Sequence, residues 1–152
     1  MDEEFTEILR KVKDKWGRET VAAILRKIDS YPIRWQGTLR RSVSYSQDPG
    51  LDGDINFFMA DYGQFIDDGV GIFGPRKQRI PPARKGALAY HLKTWSNSKG
   101  LNSWAVATNI IKRGGIRPRP FFNSVIDSRI NLLGQDVEKA LELYINNKVN
   151  KA

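Results

Sequence analysis

A chain of 152 residues, 40% hydrophobic and 28% charged, has globular composition and room for a single core. The absence of cysteine excludes disulfides, thiol catalysis and thiolate metal sites, and fits folding in a reducing compartment. The start MDEEFTEILRK is not that of a signal peptide, and no apolar run approaches the roughly 20 residues of a membrane-spanning helix, so no membrane is expected.

Phe5, Ile8, Leu9, Val12 and Trp16 recur at helical spacing among Glu, Lys and Arg, and predict an amphipathic first helix. Gly17 is a candidate break. Val21, Ile24, Leu25 and Ile28 continue the stripe to about Asp29, and Pro32 closes it. Leu39, Arg41, Val43 and Tyr45 alternate with Arg40, Ser42, Ser44 and Ser46, the period of a strand with one wet face. Asp48-Pro-Gly-Leu-Asp-Gly53 is turn chemistry, and Ile55 to Ala60 reads as the partner strand, so residues 39–60 predict a β-hairpin. Tyr62–Gly69 reads as a helical turn ended by glycine, and 70–82 as a loop. Ala87, Leu88, His91, Leu92 and Trp95 predict a short helix. Trp104, Ala107, Ile110 and Ile111 predict a second, capped by Ser103 and ended at Gly114-Gly115. Arg117-Pro-Arg-Pro120 must be extended, with Pro120 suited to the first helical position. The stripe from Phe121 and Phe122 to Tyr144 predicts a long last helix to about Asn147, with a possible kink site at Gly134 and a frayed tail.

Charge is distributed unevenly behind a net +8 and a pI near 9.8. From Gly71 to Arg119 there are eleven Lys/Arg and no acid, whereas Tyr31 to Val70 holds six Asp against three Arg. This describes a basic insert, about 71–119, beside an acidic patch ending at Asp67-Asp68, in a single domain spanning 1–152.

Sites of chemistry are poorly supported. Gly69-Val-Gly-Ile-Phe-Gly74 matches G-x-G-x-x-G, but prolines 75, 81 and 82 leave no helix to open on it, and the next acid after Asp68 is Asp127. Asp61, Asp67 and Asp68 lack the alternating oxygen ligands of a cation loop and read as a solvated turn or an intersubunit salt-bridge patch. His91 is the only histidine, without a nucleophile or carboxylate near it in sequence, and reads as a packed side chain. No catalytic residue, cofactor site or metal site is assigned; a small enzyme is the least favoured class. The insert is more informative. Arg76, Lys77, Arg79, Arg84 and Lys85 cluster, Lys112, Arg113, Arg117 and Arg119 form a second group, and Phe73, Tyr90, Trp95 and Trp104 interleave. Such residues can hold single strands by stacking and phosphate contact, though helical spacing of the aromatics favours a core role. No helix-turn-helix, zinc-finger or RNA-recognition motif is present.

Two stretches carry a resemblance. Asp61-Tyr-Gly-Gln-Phe-Ile-Asp-Asp-Gly69 follows a hairpin strand, and Ile116-Arg-Pro-Arg-Pro-Phe-Phe-Asn-Ser-Val-Ile126 opens the last helix. Together they resemble the tail-completion and neck (head–tail connector) proteins of tailed bacteriophages, in which a Tyr-x-x-(Tyr/Phe)-(Ile/Val)-(Glu/Asp)-x-Gly stretch and an (Arg)-Pro-x-Pro-Phe entry to a C-terminal helix recur. Tyr62, Phe65, Ile66, Asp67 and Gly69 match the first pattern; Arg117, Pro118, Pro120 and Phe121 match the second. The element order agrees over nearly the whole chain. The departure is the insert, since the family often has a shorter loop there.

The resemblance implies a virion structural protein without catalysis or cofactor, located in the virion and in the host cytoplasm during assembly. It implies a homo-oligomeric ring that joins adjacent neck or tail proteins, with room for non-specific DNA contact. The expected fold is α+β: N-terminal helix, antiparallel hairpin-based sheet, helical basic insert, and a long C-terminal helix packed on the sheet. The expected interface comprises Tyr62, Phe65, Ile66, Asp67, Asp68, Arg76, Lys77, Arg79, Arg84, Lys85, Trp95, Trp104, Arg117, Arg119 and Phe121, with the basic residues docking on a neighbour's acidic turn, Arg117 and Arg119 forking onto carboxylates, and apolar residues of 86–111 carrying the buried contact. The alternative is a non-enzymatic nucleic-acid-binding domain that uses the insert on phosphates.

Overall fold

The computed structural model describes residues 2–32, 36–50 and 53–152. In chain order it has α1 (Glu3–Ser30), α2 (Gln36–Ser42), β1 (Ser44–Gln47), β2 (Ile55–Phe58), α3 (Tyr62–Asp68), β3 (Val70–Gly71), α4 (Lys85–Ser98), α5 (Ser103–Lys112), β4 (Gly115–Ile116) and α6 (Asn123–Lys151). The fold is α+β. Helices hold 67% of the described residues, so the two small antiparallel sheets, β1–β2 and β3–β4, rest on a helical frame.

The frame is the pair α1 and α6. The Asp2 carboxylate accepts the Glu4 N–H at 2.9 Å and, with Glu3 and Glu4, places negative charge at the positive end of α1. Three bonds fix the helices antiparallel: the Tyr144 hydroxyl donates to the Asp2 carboxylate, Trp16 Nε1–H donates to the Arg129 carbonyl at 2.8 Å, and the Tyr31 hydroxyl donates to the Pro120 carbonyl at 2.8 Å. The α1 partner steps back along the chain as the α6 partner steps forward. Arg129 adds a bond to Thr20 Oγ1 at 3.0 Å and an ion pair with Glu19.

The helix does not break at Gly17. A methyl there would lie 2.7 Å from the Tyr45 ring, so glycine lets β1 approach α1 closely. Tyr45 is held there by its hydroxyl bond to Asp14 Oδ1 at 2.6 Å, and Trp16 meets Phe57 edge-on at 5.6 Å. The sheet therefore packs on α1, and the extensive partner of α6 is also α1 rather than the sheet as expected.

The hairpin is shorter than its alternation predicted. Residues 36–42 are helix α2, and pairing runs only from Ser44↔Phe58 to Gln47↔Ile55; Leu51 and Asp52 of the expected turn lie outside the described residues. Leu39 and Val43, both buried, are four residues apart, a spacing that shares one face in a strand and in a helix. Ser42 marks the switch: its hydroxyl donates to the Leu39 carbonyl at 2.6 Å and accepts the Ala60 N–H at 2.9 Å.

The insert folds back onto the body. Leu88, Ala89, Leu92 and Ala107 join Ile24, Ile28, Leu39, Tyr62, Ile66, Phe121 and Phe122 in one core cluster. The apolar residues at 88, 89, 92 and 107 thus serve their own subunit instead of a neighbour. The cap of α5 is Asn102, whose Oδ1 accepts from Trp104 N–H and Ala105 N–H at 2.9 and 3.2 Å, not Ser103. β3 and β4 pair through Val70↔Ile116 and Gly71↔Gly115, closing the insert at its base. A methyl on Gly71, whose φ is 73°, would sit 2.1 Å from the Gly114 carbonyl oxygen, so only glycine fits this crossing. The G-x-G-x-x-G run is therefore the tight start of a chain crossing.

Helix α6 starts three residues later than Pro120 and runs to Lys151 without fraying at Asn147. Its far end is pinned by Lys148, whose Nζ lies 3.2 Å from Asp2 and 2.8 Å from Glu4.

Candidate docking surface

The two motif segments, some fifty residues apart, meet at one joint. Helix α3 presents Asp67, 5% exposed, to the entry of α6. Its Oδ1 accepts the Phe121 and Phe122 N–H groups at 2.8 and 2.9 Å, and Oδ2 accepts that of Asn123 at 3.3 Å. A helix start leaves such N–H groups without partners, and a carboxylate on three of them is a charge-assisted cap. The extended Arg-Pro-Arg-Pro run delivers Phe121 to the cap, locked by the Arg119 N–H bond to the Ile66 carbonyl at 2.7 Å.

This joint corrects part of the expected interface. Asp67 is a buried cap, and Tyr62, Ile66 and Phe121, 1%, 7% and 0% exposed, belong to the subunit's own core. Their side chains pack within the subunit, and Tyr62 and Ile66 reach only the floor of a groove. Burial pushes the Tyr62 phenol up to about 12; the Thr38 hydroxyl opposes this slightly but is outside bonding geometry, and Tyr62 Oη has no hydrogen-bond partner.

Most of the other predicted residues line two grooves. The larger, about 570 Å³, lies between α3, α4 and the 74–84 loop. Phe65, Ile80 and Leu88 give it apolar walls, Arg76, Arg79 and Arg84 supply cations, and Asp68 faces the same space. Burial, and then the Asp67 charge beside it, hold the Asp68 carboxyl above the usual carboxylate range. Asp68 is thus a lone acid among arginines and not half of a separate acidic patch. The smaller groove, about 340 Å³, is lined by Trp95, Arg113, Arg117 and Arg119 together with Tyr62 and Ile66. The Arg117 guanidinium lies 4.7 Å over the Phe73 ring, a cation–π contact that orients it at the groove.

Lys77 and Lys85 are not in either groove wall. Lys77 sits in the loop at φ 50°, and Lys85 Nζ lies 5.7 Å over the Trp104 ring. Trp104 and Tyr90, 56% and 73% exposed, are surface aromatics, although their spacing suggested core positions. His91 is also exposed, edge-on to Phe65 at 5.5 Å, and borders the larger groove instead of packing inside. Among the described residues, Arg76, Arg79, Arg84, Lys112, Arg113 and Arg119 form no ion pair, whereas those of α1 and α6 include Lys148 with Asp2 and Glu4 and Arg129 with Glu19.

The sequence reading missed Gln64, Gln78 and His91 as groove residues, and it missed the exposed apolar face of α6. Of the exposed large hydrophobics, Ile130, Leu132, Leu141, Leu143, Ile145 and Val149 all lie on that helix. Counting its apolar residues on more than one face would have found them. No helix among the described residues is long and apolar enough to cross a membrane. Comparison with protein-family models, curated proteins and solved structures finds no match for the chain.

Proposed function

We propose that this chain is a bacteriophage virion structural protein of the neck or tail-completion type, which assembles into a ring and joins adjacent head–tail or tail components. The observation that carries the reading is the joint at Asp67. The two sequence motifs of the resemblance are two halves of one structural device, in which Asp67 of the first caps the helix opened by the second. That device lies at the base of a cation-rich insert whose exposed Arg76, Arg79, Arg84, Arg113 and Arg119 form no ion pair among the described residues. A surface of this kind supports docking on carboxylates, steering and registering a neighbour more than supplying raw affinity.

Sedimentation of the purified chain, alone and with portal or tail components, tests the proposal. Closed oligomers that grow with concentration, or a ring that forms only on a portal or tail template, are the expected results. A chain that stays monomeric alone and with both classes of component contradicts it. The unpaired arginines also favour the second reading, binding to nucleic acid. In that case the logarithm of the association constant for single-stranded DNA falls steeply and linearly with that of salt, with a slope set by the phosphates contacted.

A further inference from the structure

The acidic turn expected to receive a neighbour's insert is dismantled by the fold, because Asp67 is a buried cap and Asp68 shares the arginine groove. We infer that the acceptor is instead the outer face of α6, and that its occupant is the insert of a second copy of this chain. The inference rests on the ring reading above and names the two surfaces that would meet.

The extensive partner of α6 is α1, while Val125 and Ile126 at its start pack on the core and many of its later residues are exposed. Exposed Ile130, Leu141 and Ile145 are separated by eleven and four residues, which at about 3.6 residues per turn places them on one stripe. Asp127, Glu138 and Glu142 repeat the same eleven-and-four spacing three positions earlier, so they run along the edge of that stripe as exposed acids. Among the described residues none of these three acids is ion-paired. The helix therefore offers an apolar ridge edged with free carboxylates.

The insert offers the complement. Exposed Trp104 packs against the start of α4, where Lys85 covers its ring and a methyl on Gly86 would touch it at 3.5 Å. Arg84 adjoins them and faces the larger groove. Aromatic and cationic on one surface, apolar and anionic on the other, these patches match each other and not themselves. Self-pairing of α6 would bring its acids together, and self-pairing of the insert its arginines. Unlike patches on one molecule give a head-to-tail contact, which generates a ring when the rotation closes.

A charge swap tests this. The insert variant Arg84→Glu/Lys85→Glu and the α6 variant Glu138→Lys/Glu142→Lys alter residues outside the core. Each alone should raise the concentration for half-assembly at least about tenfold, and an equimolar mixture should restore assembly, because acidic insert then meets basic α6 and wild-type insert meets wild-type α6. Light scattering and sedimentation read the outcome, with circular dichroism confirming that each variant is folded. If wild type forms rings but the insert variant also assembles normally, or the mixture is no better than its parts, the α6 assignment is overturned while the ring reading stands. If wild type forms no oligomer, alone or on a portal or tail template, both fall.

Discussion

The joint between α3 and α6 and the insert between β3 and β4 treat charge in opposite ways. At the joint, one carboxylate is taken out of water and saturated by three backbone N–H groups. On the insert, at least six cationic side chains form no ion pair among the described residues. The first arrangement is costly to disturb and serves stability; the second costs the fold almost nothing to change. Motif residues such as Asp67 and Phe121 therefore serve architecture, and in the proposed reading the less patterned stretch between the motifs is the one that meets a partner.

Breaking the joint should have the largest effect. Asp67→Ala leaves buried donors unpaired at the start of α6 and should cost about 3–5 kcal/mol, seen as a lower urea midpoint. Gly17→Ala tests the other close approach, that of β1 to α1. The methyl must displace a Tyr45 ring pinned by Asp14, so a loss of about 1–3 kcal/mol is expected despite the better helix propensity of alanine.

Titration sharpens the contrast further. The folded Tyr62 phenol is raised above its ordinary value near 10 to about 12, so the neutral ring is favoured in the fold. Its contribution is full below pH 10 and is lost as pH rises towards 12, where the unfolded chain ionises first. Alkaline melting of wild type should fall more steeply over that window than melting of Tyr62→Phe, by differential scanning fluorimetry. The smallest effect is at the end of the frame. The Tyr144 hydroxyl, then the Glu4 N–H and Lys148, lower the Asp2 carboxyl to about 2. Its contribution is present above pH 3.8 and lost as pH falls towards 2, so Asp2→Asn should melt slightly lower at neutral pH and converge with wild type in acid.

Much of this architecture was legible in the chain. The stripes of α1 and α6, the glycine end of α3 and the two insert helices follow from apolar spacing and turn chemistry, because each is a local preference that tertiary packing reinforces. The α2 segment was not, because Leu39 and Val43 fit both periods and the choice is made by Ser42 and the core around it. Arg76, Arg79, Arg84 and Asp68 were read as interface residues and do share one groove. The role of Asp67 was hidden because its three partners lie more than fifty residues away, and no local signal distinguishes a capping acid from its half-buried neighbour Asp68.

The most direct test of the account removes the insert's charge without touching the joint. Arg76→Glu/Arg79→Glu/Arg84→Glu should leave stability within about 1 kcal/mol of wild type, since all three side chains are exposed. Sedimentation on the same samples should show loss of ring formation and of binding to portal or tail components. Unchanged assembly and unchanged partner binding in this folded variant would contradict the claim that the insert is the docking surface.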